Sequence, residues 1–165
     1  MSRGFVKEDD QEEPPMIPAR AILPEGVENL VTEFGFELLK KERAELINAR
    51  KETQTLSERE RRREAAVIDG KILLLDQRIN SARIVSPDEA ADTVRFGCTV
   101  TYTEMDKSTP PVTFQIVGVD EANIKQGKVS FTAPIVKSMI GKRQGESFEF
   151  TLGNVAKVYV VESIH

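Results

Sequence analysis

Between residues 31 and 85 the apolar positions recur at intervals of three and four, which is the spacing of one face of a helix. The second half of this region repeats the spacing over nearly three heptads, at Ala65, Ile68, Ile72, Leu75, Ile79 and Ala82. In the first half, after Thr32 as a helix-capping residue, a weaker stripe runs through Leu39, Leu46, Ala49 and Leu56. The pattern predicts an antiparallel coiled-coil hairpin with arms of about 25 residues, each about 35 to 40 Å long.

After Ser86 and Pro87 the period changes to two, with apolar and polar residues alternating in Val-, Thr- and Phe-rich segments. Five such segments begin at Cys98, Val112, Gly127, Glu146 and Ala156. Between the third and fourth, Pro134 and Gly141 bound a short apolar stretch in the way that helix ends do. Residues 86–165 are therefore predicted to form an antiparallel sheet with one short helix, which makes the whole chain an α+β protein.

Residues 1–30 show neither the helical spacing of three and four nor the strand alternation of two. They hold 3 basic and 7 acidic residues and include Pro14, Pro15, Pro18 and Pro24, which cannot donate to a helix or a sheet ladder. We expect an acidic, proline-rich, flexible tail. The alternative is an acidic arm that contacts a basic surface of a partner.

Composition and charge exclude several classes of function. The net charge of the 165-residue chain is -4, which disfavours unaided binding along nucleic acid. Cys98 is the single cysteine and His165 the single histidine, so a disulfide within the chain and a Cys/His zinc set are both excluded. A catalytic histidine would have to be the last residue, and we expect a protein that is not an enzyme. With no apolar run of about 20 residues, we expect a cytoplasmic protein without a membrane partner.

The bend of the predicted hairpin carries the densest charge in the chain. Its sequence, ETQTLSERERRRE, sets Glu52, Glu58, Glu60 and Glu64 against Arg59, Arg61, Arg62 and Arg63. A long hairpin that buries little surface suggests a function at its tip, where side chains can enter a cavity of a partner. The alternative is a solvated charged bend without a specific role.

Three stretches of residues 30–165 resemble the Gre family of bacterial transcription elongation factors. The first helix begins LVTEFGFELLKKERAEL, and the second ends DGKILLLDQRINSARIVS. The third stretch is FGCTVTY followed by FQIVGVDEANIKQGKVSFTAPIVKSMIGKRQGESFEF, which resembles the carboxy-terminal signature of the family. The tail, SRGFVKEDDQEEPP, is similar to that of a GreB-like subgroup.

The resemblance implies a fold and a mode of action. The sheet domain would have FKBP-like topology and dock on RNA polymerase, while the hairpin runs down the secondary channel to the active centre. Acidic residues at the tip would help to hold the second Mg²⁺ of the polymerase while the extruded RNA is cleaved, which suits the preference of Mg²⁺ for carboxylate oxygens. The factor would bind no cofactor alone and would meet nucleic acid only within the elongation complex.

The tip departs from the family pattern, which is Asp-Leu-x-Glu-Asn followed by an aromatic residue. The matching register places Thr55, Leu56, Ser57, Glu58 and Arg59 on it. Glu58 keeps the carboxylate that would face the metal ion, whereas Thr55 and Arg59 replace the Asp and the Asn. A Thr hydroxyl is a poor substitute for a carboxylate on Mg²⁺. A different register would let Glu52 supply the missing charge.

The resemblance also implies a polymerase-binding surface on the sheet domain. A segment at the start of the short helix and the acidic loop before it match the family, and together they comprise Asp120, Glu121, Thr132, Ala133, Pro134 and Ile135. Ala133 stands where the family has Ser, which removes one oxygen that could cap the helix unless Thr132 supplies it.

Three functions remain open from the sequence. The first is rescue of backtracked RNA polymerase by stimulation of its own transcript cleavage. The second is a secondary-channel regulator that lacks this stimulation and whose arginine cluster contacts RNA or acidic residues of the polymerase. The third, suggested only by FKBP-like topology, is a peptidyl-prolyl isomerase or chaperone, although the strands offer few aromatic side chains for such a pocket.

Overall fold

The computed structural model describes residues 13–88, 90, 92–106 and 108–165. Two helices form the predicted hairpin: α1 spans Glu33–Glu52 and α2 spans Glu58–Asn80, joined by a 3₁₀ turn at Thr53–Thr55. At 1.5 Å per residue the 20 and 23 residues make arms of about 30 and 35 Å. The hairpin is therefore confirmed, with arms somewhat shorter than the 25 residues expected.

The hairpin is held by a narrow apolar seam with ion pairs beside it. Leu39 of α1 and Leu75 of α2 are buried in the half nearer the base, and Ala65 is buried nearer the bend. Arg43 donates to Asp76 at 2.6 Å, and Arg50 donates to Asp69 at 2.8 Å, both across the two helices. None of the helices in the described part of the chain is long and apolar enough to cross a membrane.

A pair of three-residue strands closes the base of the hairpin. Strand β1 spans Asn29–Val31 and runs parallel to β2, which spans Ala82–Ile84. The Asn29 side chain donates to the Arg78 carbonyl at 2.8 Å and so fixes β1 to the end of α2. Segments this short show no period of their own, so the sequence pattern did not predict them.

The second domain is a curled five-stranded sheet whose spatial order is β5-β4-β3-β7-β6. Its strands are β3 at Thr99–Glu104, β4 at Val112–Val117, β5 at Lys128–Ser130, β6 at Ser147–Leu152 and β7 at Val155–Ile164. Each lies within or across one of the five predicted segments. Three of the four neighbouring pairs are antiparallel as expected, whereas β4 and β5 run parallel.

The core of the sheet domain is built around Tyr102. Its ring makes edge contacts with those of Phe114, Phe148 and Tyr159, at centroid distances of 5.4 to 5.8 Å. The short helix α3, Pro134–Met139, buries Val136 and Met139 against this core. The aromatic side chains on which a prolyl-isomerase pocket would depend are thus largely used in packing.

The described part of the tail contacts the hairpin. Residues 13–23, here called the strap, form no helix or strand and lie along the groove between α1 and α2. Arg20 donates to Glu42 of α1 at 2.7 Å, and Arg78 of α2 donates to the Ala21 carbonyl. The proline residues disfavour a helix and still allow the chain to pack here, whereas the flexibility of the tail stays a prediction. Most of the acidic run falls in residues 1–12, outside the described residues.

Candidate functional site

The tip of the hairpin is ordered by local hydrogen bonds. The Thr55 hydroxyl donates to the Glu52 carbonyl at 2.9 Å, and the Ser57 hydroxyl donates to a carboxylate oxygen of Glu60 at 2.6 Å. The first of these bonds lies within the turn that follows α1, and the second joins the residue before α2 to the first turn of that helix. The hydroxyl hydrogen of Thr55 is therefore used on the Glu52 carbonyl, and Glu60 is turned toward Ser57.

Glu58 lies at the far end of the hairpin in the first turn of α2, with 67% of its side chain exposed. Arg62, one turn further along, donates to its carboxylate. This hydrogen bond, together with the positive charges of Arg62 and Arg61, holds the pKa of Glu58 below its ordinary value. The helix amino terminus also favours negative charge, so Glu58 is a fully ionised, solvent-facing carboxylate at neutral pH.

Replacing Arg62 by glutamine is expected to raise the pKa of Glu58 toward its ordinary value, because the hydrogen bond from Arg62 is the largest cause of the depression. A carboxyl group whose pKa is lowered in the folded state stabilises the protein at pH values above its ordinary pKa. This stabilisation is lost as the pH falls through the lowered pKa. NMR titration of the Glu58 carboxyl carbon measures the change. Arg63→Gln is the matched control and leaves the titration unchanged; a Glu58 pKa in Arg62→Gln that stays at its wild-type value contradicts the assignment.

The tip by itself does not fit a metal site. Within the described residues, no three His, Cys, Asp or Glu side chains converge so that they could hold an ion. Glu58 can therefore offer a single carboxylate to an ion that another molecule already holds.

The segment predicted as a docking surface begins α3. Pro134 is exposed at the first turn, and Ala133 occupies the cap position without a side-chain hydrogen bond. The Thr132 hydroxyl is paired with that of Ser130 at 2.8 Å, so it does not replace the missing capping oxygen. Ile135 packs partly against the core of the sheet domain. Pro134 is thus exposed while Thr132, Ala133 and Ile135 are half-buried, and these four residues are here called the ridge.

Asp120, predicted to contact a partner, instead faces the hairpin. Its side chain is 9% exposed and lies between two guanidinium groups. Arg20 of the strap donates to Oδ1 at 3.0 Å, and Nε of Arg78 lies 3.0 Å from Oδ2 as an ion pair. The carboxylate therefore joins the strap, α2 and the sheet domain and is little exposed; its role in binding the polymerase, which the family resemblance implies, stays a prediction.

Glu121 is also turned inward, with a side chain only 3% exposed. It accepts a hydrogen bond from the Thr32 hydroxyl at 2.5 Å and another from Lys128 at 2.7 Å. Thr32 in turn accepts from the Gly35 amide and caps α1, and the Lys128 ammonium lies 4.1 Å from the centre of the Phe34 ring. Glu121 thus fixes the first turn of α1 to the sheet domain, and its role in binding a partner likewise stays a prediction.

These contacts define the joint, which consists of residues 30–35 of the hairpin base and residues 118–121 of the sheet domain. The backbones approach closely there: a Cβ added to Gly118 would lie 2.6 Å from the Leu30 carbonyl oxygen. The sequence reasoning missed Arg20, Arg78 and Lys128, which complete the ion pairs of the joint. The available signal was Gly118, a glycine between apolar residues at the end of a strand, which often marks a close backbone approach.

Comparison with known proteins agrees with this architecture. Residues 88–165 match the family described as transcription elongation factor, GreA/GreB, C-term. The transcription elongation factor GreA of Acidiphilium cryptum is 38% identical over 130 residues, which cover 74% of this chain and 82% of that protein. The GreA of Novosphingobium aromaticivorans is 32% identical over 156 residues, covering 87% of this chain and 93% of that protein.

Two solved structures are also similar. The GreA factor homolog 1 of Thermus thermophilus is 20% identical, with 84% of this chain and 99% of that chain covered and a TM-score of 0.39. The GreA/GreB factor of Nitrosomonas europaea is 19% identical, with 84% and 98% covered and a TM-score of 0.39. It is the sequence relatives, similar along both domains, that establish the assignment. The chain belongs to the GreA/GreB family of transcription elongation factors.

Proposed function

We propose that this chain acts on RNA polymerase, that its sheet domain docks on the enzyme, and that its hairpin enters the secondary channel. There it promotes rescue of backtracked complexes by stimulating the polymerase's own cleavage of the transcript. The polymerase catalyses the cleavage and holds the Mg²⁺, and Glu58 contributes one carboxylate ligand to that ion. Nucleic acid is met only inside the elongation complex.

The observation that carries the proposal is the position of an ionised carboxylate at the end of a rod. The base of α1 is fixed at the joint through Thr32 and Glu121, and its 20 residues place the bend about 30 Å away. Glu58 follows this bend directly and is exposed. A two-helix rod is narrow enough to enter a channel that excludes a globular domain, so the side chain can reach a buried active centre.

The proposed dock is the ridge at Thr132, Ala133, Pro134 and Ile135. Pro134 fixes the backbone at the start of α3, and burial of Val136 and Met139 holds the helix rigidly on the sheet. A rigid apolar ridge suits recognition of a helical surface on the polymerase. Asp120 and Glu121 support this dock indirectly, because they set the direction in which the hairpin leaves the domain.

The second candidate is a secondary-channel regulator without stimulation of cleavage. The hydrogen bonds that Thr55 and Glu58 already make at the tip favour this candidate. The Thr55 hydroxyl is bound to the Glu52 carbonyl, and Arg62 holds the Glu58 carboxylate, so a metal ion would have to displace a guanidinium group. Such a protein would occupy the channel and slow elongation or displace a cleavage factor.

Transcript cleavage in stalled, backtracked elongation complexes tests the proposal. We expect the wild-type protein to accelerate cleavage, and Glu58→Gln to lose at least about ten-fold of that acceleration, equivalent to about 1.4 kcal/mol of transition-state stabilisation. The substitution removes the charge that an ion requires while keeping the size of the side chain. Binding to the polymerase is measured in parallel and is expected to stay within about two-fold, since the dock lies on the other domain.

Glu64→Gln is the matched control, because Glu64 is an exposed carboxylate on the same helix further from the bend. It should stimulate cleavage by the polymerase as strongly as the wild type does. Polymerase binding without cleavage by the wild type selects the second candidate, and equal activity of Glu58→Gln removes the metal-facing role. Absence of polymerase binding overturns both functions.

A further inference from the structure

Arg20 of the strap joins the two domains through one side chain. Its guanidinium group donates from Nε to Asp120 of the sheet domain at 3.0 Å, and from Nη1 and Nη2 to Glu42 of α1 at 2.7 and 3.0 Å. A guanidinium group is flat and rigid, so two carboxylates bound to its edges are held at a fixed separation. Only 17% of the Arg20 side chain is exposed, which limits competition by water. Arg20 is therefore a direct bridge between the hairpin and the sheet domain.

The strap holds Arg20 in place from both sides. Before it, Ile17 lies against Gly70 in the middle of α2, where an added Cβ would clash with the Ile17 side chain. Glycine is unfavourable in the interior of a helix, and its presence here leaves room for the strap. After Arg20, the Ala21 carbonyl accepts a hydrogen bond from Arg78 of α2. The segment that carries Arg20 is thus attached to the hairpin at two further points.

The bridge acts at a distance from the point where the hairpin is fixed. The joint holds the first turn of α1 at Thr32, and Glu42 lies ten residues further along, about 15 Å up the rod. A swing of the hairpin by about 20° about the joint would displace Glu42 by about 5 Å, beyond the reach of a hydrogen bond, and the bend by about 10 Å. Because the Arg20 bridge would have to break before such a swing, it opposes a rotation of the whole hairpin.

We infer that Arg20 is a positioning residue that fixes the angle between the hairpin and the sheet domain, with the strap as its support. It acts through Glu42 and Asp120, on the direction in which the hairpin leaves the joint. The fixed angle is a property of the free protein. Its consequence for the polymerase, that fewer molecules are oriented for entry into the channel once the bridge is broken, rests on the proposed function.

Double electron–electron resonance between two spin labels tests the fixed angle in the full-length protein. Asn48→Cys on α1 and Glu149→Cys on β6, both at exposed positions, carry the labels in a Cys98→Ala background that removes the buried native thiol. We expect one narrow distance distribution, and Arg20→Gln should widen it at least about two-fold, because a label about 24 Å from the joint moves about 8 Å for a swing of about 20°. Arg20→Lys should widen it to a similar extent, since an ammonium group keeps the charge but lacks the flat edges that hold both carboxylates.

Two further variants separate the bridge from general effects on the hairpin. Arg43→Gln is the matched control, because it removes an arginine whose ion pair with Asp76 lies within the hairpin, and it should leave the distribution unchanged. Gly70→Ala fills the space that Ile17 occupies while favouring the helix, so it should widen the distribution without loss of helical circular dichroism. A wild-type distribution as wide as that of Arg20→Gln, an Arg20→Lys distribution as narrow as the wild type, or no widening in Gly70→Ala overturns the inference.

Transcript cleavage measures the consequence for the polymerase. A smaller fraction of correctly oriented molecules lowers the apparent affinity, whereas a molecule that has entered the channel acts as before. Arg20→Gln should therefore raise the concentration for half-maximal stimulation at least about three-fold and leave the maximal rate within about 1.5-fold, the opposite of the pattern expected for Glu58→Gln. A lowered maximal rate at an unchanged half-maximal concentration overturns the positioning role. If the wild type stimulates no cleavage, the proposed function fails and the distance distributions alone decide the inference.

Discussion

Replacing Asp120 by alanine is expected to lower the free energy of unfolding by about 3 kcal/mol, because it leaves two guanidinium groups together without their shared counter-ion. Arg20 and Arg78 keep only 17% and 13% of their side chains exposed, so water does not replace the lost carboxylate well. Arg20 retains Glu42, whereas the side chain of Arg78 retains only the Ala21 carbonyl among the partners described above. The strap and the end of α2 should both loosen.

The measurement is urea unfolding followed by two signals. Both tyrosines, Tyr102 and Tyr159, lie in the sheet domain and there is no tryptophan, so tyrosine fluorescence reports on that domain. Helical circular dichroism reports mainly on the hairpin. In Asp120→Ala the helical transition should move to lower urea than the tyrosine transition. Asp76→Ala removes a carboxylate from the half-exposed pair with Arg43 and should cost at most about 1 kcal/mol; equal effects of the two variants contradict the account of the joint.

Gly118→Ala is expected to destabilise the chain by about 2 to 3 kcal/mol, the range for overpacking in a tight interior. The new Cβ would lie 2.6 Å from the Leu30 carbonyl oxygen and 3.5 Å from the Val31 Cα. Both neighbours are backbone atoms of β1, and β1 is paired with β2, so neither can move alone. The substitution should push the base of the hairpin away from the sheet domain.

Thermal and urea unfolding of Gly118→Ala measure this cost. Gly26→Ala is the comparison, since nothing lies within 4 Å of its added Cβ and its strain comes only from a φ of +76°. That strain corresponds to about 1 to 2 kcal/mol. If Gly118→Ala is the milder of the two, the backbone contact at the joint is not tight.

The two domains were predictable because each repeats a period many times. The seam through Leu75 and the alternation through Tyr102 and Phe114 each encode a face that must be buried, and the structure buries all three side chains. The cap at Thr32 was predictable from its residue type, and it does accept from the Gly35 amide. The parallel pairing of β4 with β5 was not predictable, because the alternation of apolar and polar residues fixes which face of a strand is buried but not the direction in which the strand runs.

The joint and the strap were not predictable from the pattern. Asp120 meets partners 100 and 42 residues away, and a charge carries no periodic signal that would identify a distant counter-ion. The docking role of residues 120–121 followed from the family resemblance, which does not show that these carboxylates are paired within the chain. At the tip, the sequence correctly identified Glu58 as a carboxylate of the bend, whereas its pairing with Arg62 emerged only from the geometry.

The pairing of β1 with β2 brings the entry and the exit of the hairpin to one place, since Asn29 lies opposite Ala82. Everything between them can change length without altering how the sheet domain folds, provided that both helices change together. A heptad inserted in each would lengthen the rod by about 10 Å and preserve its seam. The reach of the hairpin is thus an adjustable dimension, separable from the fold of the sheet domain.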